Sequence, residues 1–145
     1  MITYIFIILV GILITQHLNV VVSESMEPLL YRGDLIVVEN VDIFGFQEFN
    51  PNDIKVGDIV VYNSEWFSGG KIIHRVIAIN ETNGEKTLTI KGDHNPVHDS
   101  LPVKPEQIVS IAITIGNHQI IVPKIGYVSI YLQNFFRTLI GLPPV

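Results

Sequence analysis

A chain of 145 residues, 48% hydrophobic and 16% charged, is long enough to bury one hydrophobic core and too apolar for a disordered segment. Its net charge of -5, with no Lys/Arg-rich block, excludes the basic footprint with which nucleic-acid binders neutralise phosphates. The absence of cysteine removes disulfides, thiolate nucleophiles and Cys-bound zinc, so any nucleophile is an oxygen or a lysine.

In chain order, the first feature is "YIFIILVGILI" at 4–14, an unbroken apolar run. Extended through Thr15, Gln16 and His17 to Leu18, it approaches the ~20 residues that a bilayer-spanning helix needs, and an N-terminal transmembrane anchor is expected over 1–20. No positive charge precedes the run and no small-x-small site follows it, which favours a retained anchor over a cleaved signal. The first basic residue is Arg32, so local charge gives no membrane orientation.

The polar stretch "SESMEP" at 23–28 follows, and from there the pattern changes to short β-branched runs. These are "DLIVVE" at 34–39, "DIVVY" at 58–62, "IIHRVIAI" at 72–79, "TLTI" at 87–90 and "IVSIAITI" at 108–115. Turn signals such as Asn52-Asp53, Gly69-Gly70, Asn83-Gly84 and Asn95-Pro96 separate them, with no helical pattern between, so a mostly antiparallel β domain is expected over 21–123. "RGDLIVV" at 32–38 echoes "VGDIVVY" at 56–62, each Gly-Asp turning the chain into a buried strand. Longer loops are expected at 40–54, at 63–71 around "EWFSGG", and at 92–107. The final segment, 124–145, mixes aromatics with one Arg and suits a membrane interface better than a second span.

Three polar clusters interrupt this apolar sequence: "SESMEP", "IHRV" at 73–76 and "KGDHNPVHDS" at 91–100. Strand alternation puts His74 on the face opposite Ile73, and a partly buried histidine must have hydrogen-bond partners. Acyl transfer requires a hydroxyl nucleophile, a base near neutrality and a carboxylate that orients the base. Ser25, His74 and either Asp99 or Asp93 offer a candidate for each role. Other readings stay open: Lys71 or Lys91 as base in a Ser-Lys self-cleaving peptidase, or a non-catalytic tethered β module. Such a module would bind peptides, or a metal through His74, Asp93, His94, His98 and Asp99. Against the metal, Asn95-Pro96 breaks the helical spacing of His94 and His98.

"SESMEP" beside the apolar N-terminus, then "GDIVVY", "HRV" and "KGDHNPVHD", resemble the ordered motif boxes of type I signal peptidases, from Ser23 to Asp99. The histidine at the base position is similar to the archaeal and endoplasmic-reticulum branch rather than the bacterial Ser-Lys branch. The resemblance implies a small antiparallel β-barrel-like catalytic domain behind an N-terminal transmembrane helix. It implies Ser25 as nucleophile, His74 as general base, Asp99 as the carboxylate orienting it and Asp93 as a second required acid. The oxyanion hole would be the Ser25 backbone N–H and the Ser23 hydroxyl, with Met26 and Pro28 shaping the substrate pocket. The implied activity is a serine endopeptidase that removes signal peptides from translocated preproteins, with no metal or other cofactor. It would sit in the lipid bilayer as a single-pass protein, its catalytic domain on the extracytoplasmic or lumenal face, with room for accessory membrane subunits. Two positions depart from the pattern: Glu24 stands where Gly is usual, and His98 precedes Asp99 where a second acid is common.

Overall fold

A computed structural model describes residues 2–65 and 70–144. Helix α1 (Ile2–Gln16) leads into strands β1 (Leu18–Val20), β2 (Leu35–Asn40), β3 (Ile59–Asn63), β4 (Lys71–Thr82) and β5 (Glu85–Lys91). Strand β6 (Ile108–Ala112), the short pair β7 (Thr114–Ile115) and β8 (His118–Gln119), strand β9 (Ile121–Val122) and helix α2 (Gly126–Leu139) complete the chain. Of the expected loop around "EWFSGG", residues 66–69 lie outside the described residues, and with them the first half of the Gly69-Gly70 turn.

All ladders among the described residues are antiparallel, as the turn-separated β-branched runs require. The main sheet runs β1-β2-β6-β3-β4-β5, with β9 also on β2. No ladder among the described residues joins β5 to β1, so the expectation of a barrel is met in its antiparallel pairing and not in closure. The longest ladder, β4 with β5, turns at Asn83-Gly84, where both residues have positive φ (54° and 82°). That is the backbone a tight hairpin with right-handed strand twist demands.

The two Gly-Asp echoes are the same turn built twice. Gly33 (φ 88°) and Gly57 (φ 101°) both occupy the left-handed region. Asp34 Oδ2 accepts the Tyr31 N–H at 2.9 Å, and Asp58 Oδ2 accepts the Lys55 N–H at 2.8 Å. Each turn delivers a strand, β2 or β3, into the core. β3 then serves two apolar clusters, one on each face. Val60 and Tyr62 pack with Val76, Leu88 and Ile90, whereas Ile59 packs with Val21, Met26, Leu30, Ile36 and Val38. Each fully buried aliphatic side chain contributes about 1.5–3 kcal/mol relative to exposure.

The expected transmembrane anchor over 1–20 needs correction. α1 holds 15 residues, about 22 Å of helix against a hydrocarbon core of about 30 Å. Among the described residues no helix is long and apolar enough to cross a membrane. The helix stops at Gln16 because the next residues belong to the sheet: Leu18, Asn19 and Val20 pair with Val37, Ile36 and Leu35. The expected interfacial segment forms α2, which buries Gly126 and Ile130 and exposes Val128, Tyr131, Leu132 and Phe135.

His17 marks the junction of helix and sheet. Its Nδ1 lies 2.8 Å from the Leu13 carbonyl and its Nε2 2.9 Å from Glu48 Oε1, while Glu48 Oε2 accepts the Asn40 N–H at 3.1 Å. Both ring nitrogens face acceptors, so the doubly protonated ring is favoured. The Leu13 carbonyl first, then Glu48, raise its pKa above the ordinary 6.5. The Asn40 N–H first, then His17, hold Glu48 below its ordinary 4.5. The link is complete between these two ranges. It is lost as pH rises through the raised histidine value, and again as pH falls through the lowered carboxylate value. Amide exchange at 13–17 and 40–48, measured from pH 5 to pH 9, is expected to quicken at the alkaline end beyond the intrinsic rate. His17→Ala should abolish that extra step, and its persistence would contradict the assignment.

Candidate active site

Three segments meet at one end of the main sheet. The turn after β1 brings Ser25, β4 brings His74, and the loop after β5 brings Asp99. His74 pairs across the ladder with Val60, so its ring shares a face with Ile72, Val76 and the first core cluster. It is 4% exposed and Asp99 is 7% exposed, so each must be satisfied inside the protein.

They satisfy each other. His74 Nδ1 donates to Asp99 Oδ2 at 2.8 Å and lies 3.0 Å from Oδ1. A carboxylate partner fixes the proton on Nδ1, leaving Nε2 as an acceptor in the neutral ring. Ser25 Oγ lies 2.9 Å from that Nε2 and donates to it. With the Ser25 proton so committed, the 3.1 Å contact between the two serine hydroxyls is one in which Ser23 donates to Ser25. No hydrogen bond among the described residues takes up the Ser25 backbone N–H.

The loop after β5 holds the arrangement. Its His94 N–H donates to the Ser25 carbonyl at 2.9 Å, and the Asp99 N–H donates to the Ile90 carbonyl at 2.8 Å. Gly92 lies between them: a Cβ there would stand 2.5 Å from the Ser25 carbonyl oxygen and 2.8 Å from His74 Nε2. Asp93 is not brought into the Ser25–His74–Asp99 chain. It takes a two-pronged ion pair from Arg75, Nε to Oδ1 at 2.8 Å and Nη2 to Oδ2 at 2.7 Å. Arg75 Nη1 also donates to the Gly57 carbonyl at 2.9 Å, tying the loop to the entry of β3. The Asp93 bond, ahead of desolvation, raises the Arg75 pKa.

A cleft of about 360 Å³ opens beside Ser23, Ser25 and His74. Val20, Val22, Val61, Ile72 and Ile73 give it apolar walls. Met26 and Pro28, expected to shape the pocket, do not line it. Met26 is 0% exposed within the second core cluster, beneath the turn rather than in the cleft, and Pro28 follows a cis Glu27–Pro28 peptide at its exposed edge. Lys71 lines the cleft, yet the Ser25 hydroxyl bonds His74 and neither Lys71 nor Lys91 bonds it. Among the described residues no three His, Asp or Glu side chains stand together so as to hold a metal ion. His98 Nδ1 lies instead 2.8 Å from the Asp99 carbonyl oxygen. Glu24, in the usual glycine position, is not among the residues with positive φ, so this turn places no demand for glycine there.

Two residues of the site went unread in the sequence. Tyr62, at the end of "GDIVVY", donates to Asp99 Oδ2 at 2.6 Å, and Asn95 lines the cleft. A tyrosine closing an apolar run is the only signal for the first, and such a residue reads as packing. Gly92→Ala is expected to force the Ser25 carbonyl and the imidazole apart, lowering Ser25-dependent turnover about a hundredfold. Turnover kinetics beside a thermal unfolding curve check this, and wild-type turnover in a folded variant would contradict it.

Residues 1–97 match the family described as signal peptidase, peptidase S26. That match takes in Ser25 and His74 and stops short of Asp99. An uncharacterized protein of Methanocaldococcus jannaschii is 34% identical to this chain, over 88% of this chain and 89% of that protein. The signal peptidase complex catalytic subunit SEC11 of Scheffersomyces stipitis is 34% identical, over 84% of this chain and 70% of that protein. The subunit of the same name from Candida tropicalis is 38% identical, over 79% of this chain and 64% of that protein. With a family match over about two thirds of its length and relatives of this identity, the chain belongs to the signal peptidase family, peptidase S26.

Proposed function

We propose that this family member cleaves signal peptides from translocated preproteins, with Ser25 as nucleophile, His74 as general base and Asp99 as the acid that orients it. The observation that carries the reading is the unbroken chain from Ser25 Oγ through His74 to Asp99, opening onto an apolar cleft. His74 Nε2 takes the Ser25 proton as Oγ attacks the scissile carbonyl. The imidazolium so formed lies against the Asp99 carboxylate, which stabilises it without taking the proton. The Ser25 N–H and the Ser23 hydroxyl then face the developing oxyanion. Ser23 is released for this because Ser25 Oγ has become bonded to carbon. His74 returns its proton to the leaving amine, and water enters by the same route reversed.

The cleft also suits the substrate. Among the described residues β1 pairs only with β2, and its residues Asn19 and Val20 line the cleft, so an extended peptide can bond the other strand edge. Apolar walls and limited volume favour small side chains beside the scissile bond. Asp93 acts through Arg75 on the loop rather than on the reacting atoms.

The reading places the enzyme at a membrane, on the extracytoplasmic face where translocated preproteins emerge. α1 is apolar along its length with no buried residue, and it offers a surface for lipid. The yeast relatives are named as subunits of a signal peptidase complex. By that analogy accessory subunits would cover part of α1 or the exposed apolar side of α2.

The test is cleavage of a preprotein by the purified full chain in detergent. Ser25→Ala and His74→Ala are expected to lower kcat by about 10⁴-fold or more, and Asp99→Asn by about 10⁴-fold through the wrong tautomer. Cleavage at the wild-type rate by Ser25→Ala would refute the assignment. An active His74→Ala with an inactive Lys71→Ala would move the base to the lysine.

A further inference from the structure

We infer that Tyr62 is a positioning residue for this reaction, holding the Asp99 carboxylate so that His74 stays aimed at Ser25. The inference rests on the reading of Asp99 as the acid that orients His74. Asp99 stands in the loop after β5, outside any strand; its backbone N–H bonds the Ile90 carbonyl and its carbonyl oxygen lies 2.8 Å from His98 Nδ1. Neither backbone contact sets the rotation of the carboxylate. A side chain from the sheet does: the Tyr62 hydroxyl donates to Oδ2 at 2.6 Å, the same oxygen that receives His74 Nδ1 at 2.8 Å.

The register shows why these groups converge. β3 lies between β4 and β6 in the interior of the sheet, and it pairs Val60 with His74 and Tyr62 with Ile72. Directly opposed residues project to the same face, so Tyr62 and His74 are diagonal neighbours on one side of adjacent strands. A carboxylate above that diagonal can meet both. Tyr62 is 1% exposed, with its ring in the first core cluster beside Val60, Val76 and Ile90. Phenylalanine would pack there without the burden of burying a hydroxyl, so packing accounts for the ring and the carboxylate accounts for the oxygen.

During catalysis the positive charge appears on the imidazole beside an already fixed carboxylate. A carboxylate held from two directions has little reorganisation left to perform at that moment. One free to rotate would let the ring swing away from Ser25 Oγ, and small misplacements cost rate rather than binding. Tyr62 touches none of the reacting atoms, and its effect passes through Asp99.

The experiment is a double-mutant cycle with Tyr62→Phe and Asp99→Ala, using the full chain in detergent, a preprotein substrate and thermal unfolding to confirm folded protein. Tyr62→Phe is expected to lower kcat about tenfold to a hundredfold with KM unchanged. In the Asp99→Ala background the same substitution should leave the residual kcat unchanged, because the group it acts through is gone. Wild-type kcat in folded Tyr62→Phe overturns the inference. So does an equal loss in both backgrounds, which would mark a purely structural tyrosine. Wild-type kcat in Asp99→Ala would overturn the reading of Asp99 itself, and the inference with it.

Discussion

The bond between the Asp99 carboxylate and the His74 ring is the constraint around which this molecule is arranged. Both groups are almost withdrawn from water, so each must find its partner within the protein. Removing one of a buried pair that can carry charge strands the other at a cost of about 3–5 kcal/mol. The same bond has a directional consequence. It places the proton on Nδ1 and presents Nε2, the basic nitrogen, to Ser25 Oγ. Fold stability and chemical competence therefore draw on one contact.

The sheet supplies its geometry. His74 lies within β4 between residues committed to the core, so the ring cannot leave without disturbing Ile72 and Val76. The flanking segments are irregular and are tied to it and to each other by backbone bonds: His94 N–H to the Ser25 carbonyl, and Asp99 N–H to the Ile90 carbonyl. Gly92 permits this close approach, since any side chain would fall on both the serine carbonyl and the imidazole. The Arg75–Asp93 pair acts one step further out, fastening the loop to the entrance of β3. Met26 anchors the Ser25 turn as part of the second core cluster. Its motif position beside Ser25 thus reflects the packing of the turn rather than contact with the cleft.

Much of the fold was legible because strands announce themselves locally. β-branched runs at 34–39, 58–62, 72–79, 87–90 and 108–115 fall on β2 to β7, and Asn83-Gly84 turns β4 into β5. What was not legible depends on contacts distant in sequence. An apolar run does not disclose that its last residues will pair with β2, and for that reason α1 ends at Gln16, short of a span. Whether Asp93 or Asp99 faces the histidine cannot be told from spacing, because both lie in one turn-rich loop. The direction is set where Asp99 bonds Ile90 and Arg75 captures Asp93. Tyr62 was hidden for a related reason: a tyrosine in a buried run looks like ring volume until the position of its hydroxyl is known.

The central claim is that Ser25, activated by His74, forms a covalent intermediate with the substrate. Its most direct test is mass spectrometry of the full chain quenched in acid during turnover of a preprotein, followed by digestion. The account predicts an acyl adduct, of the mass of the signal peptide acyl group, on the peptide that carries Ser25, and none in His74→Ala. Turnover with no adduct at Ser25, or an adduct at another hydroxyl, would contradict it.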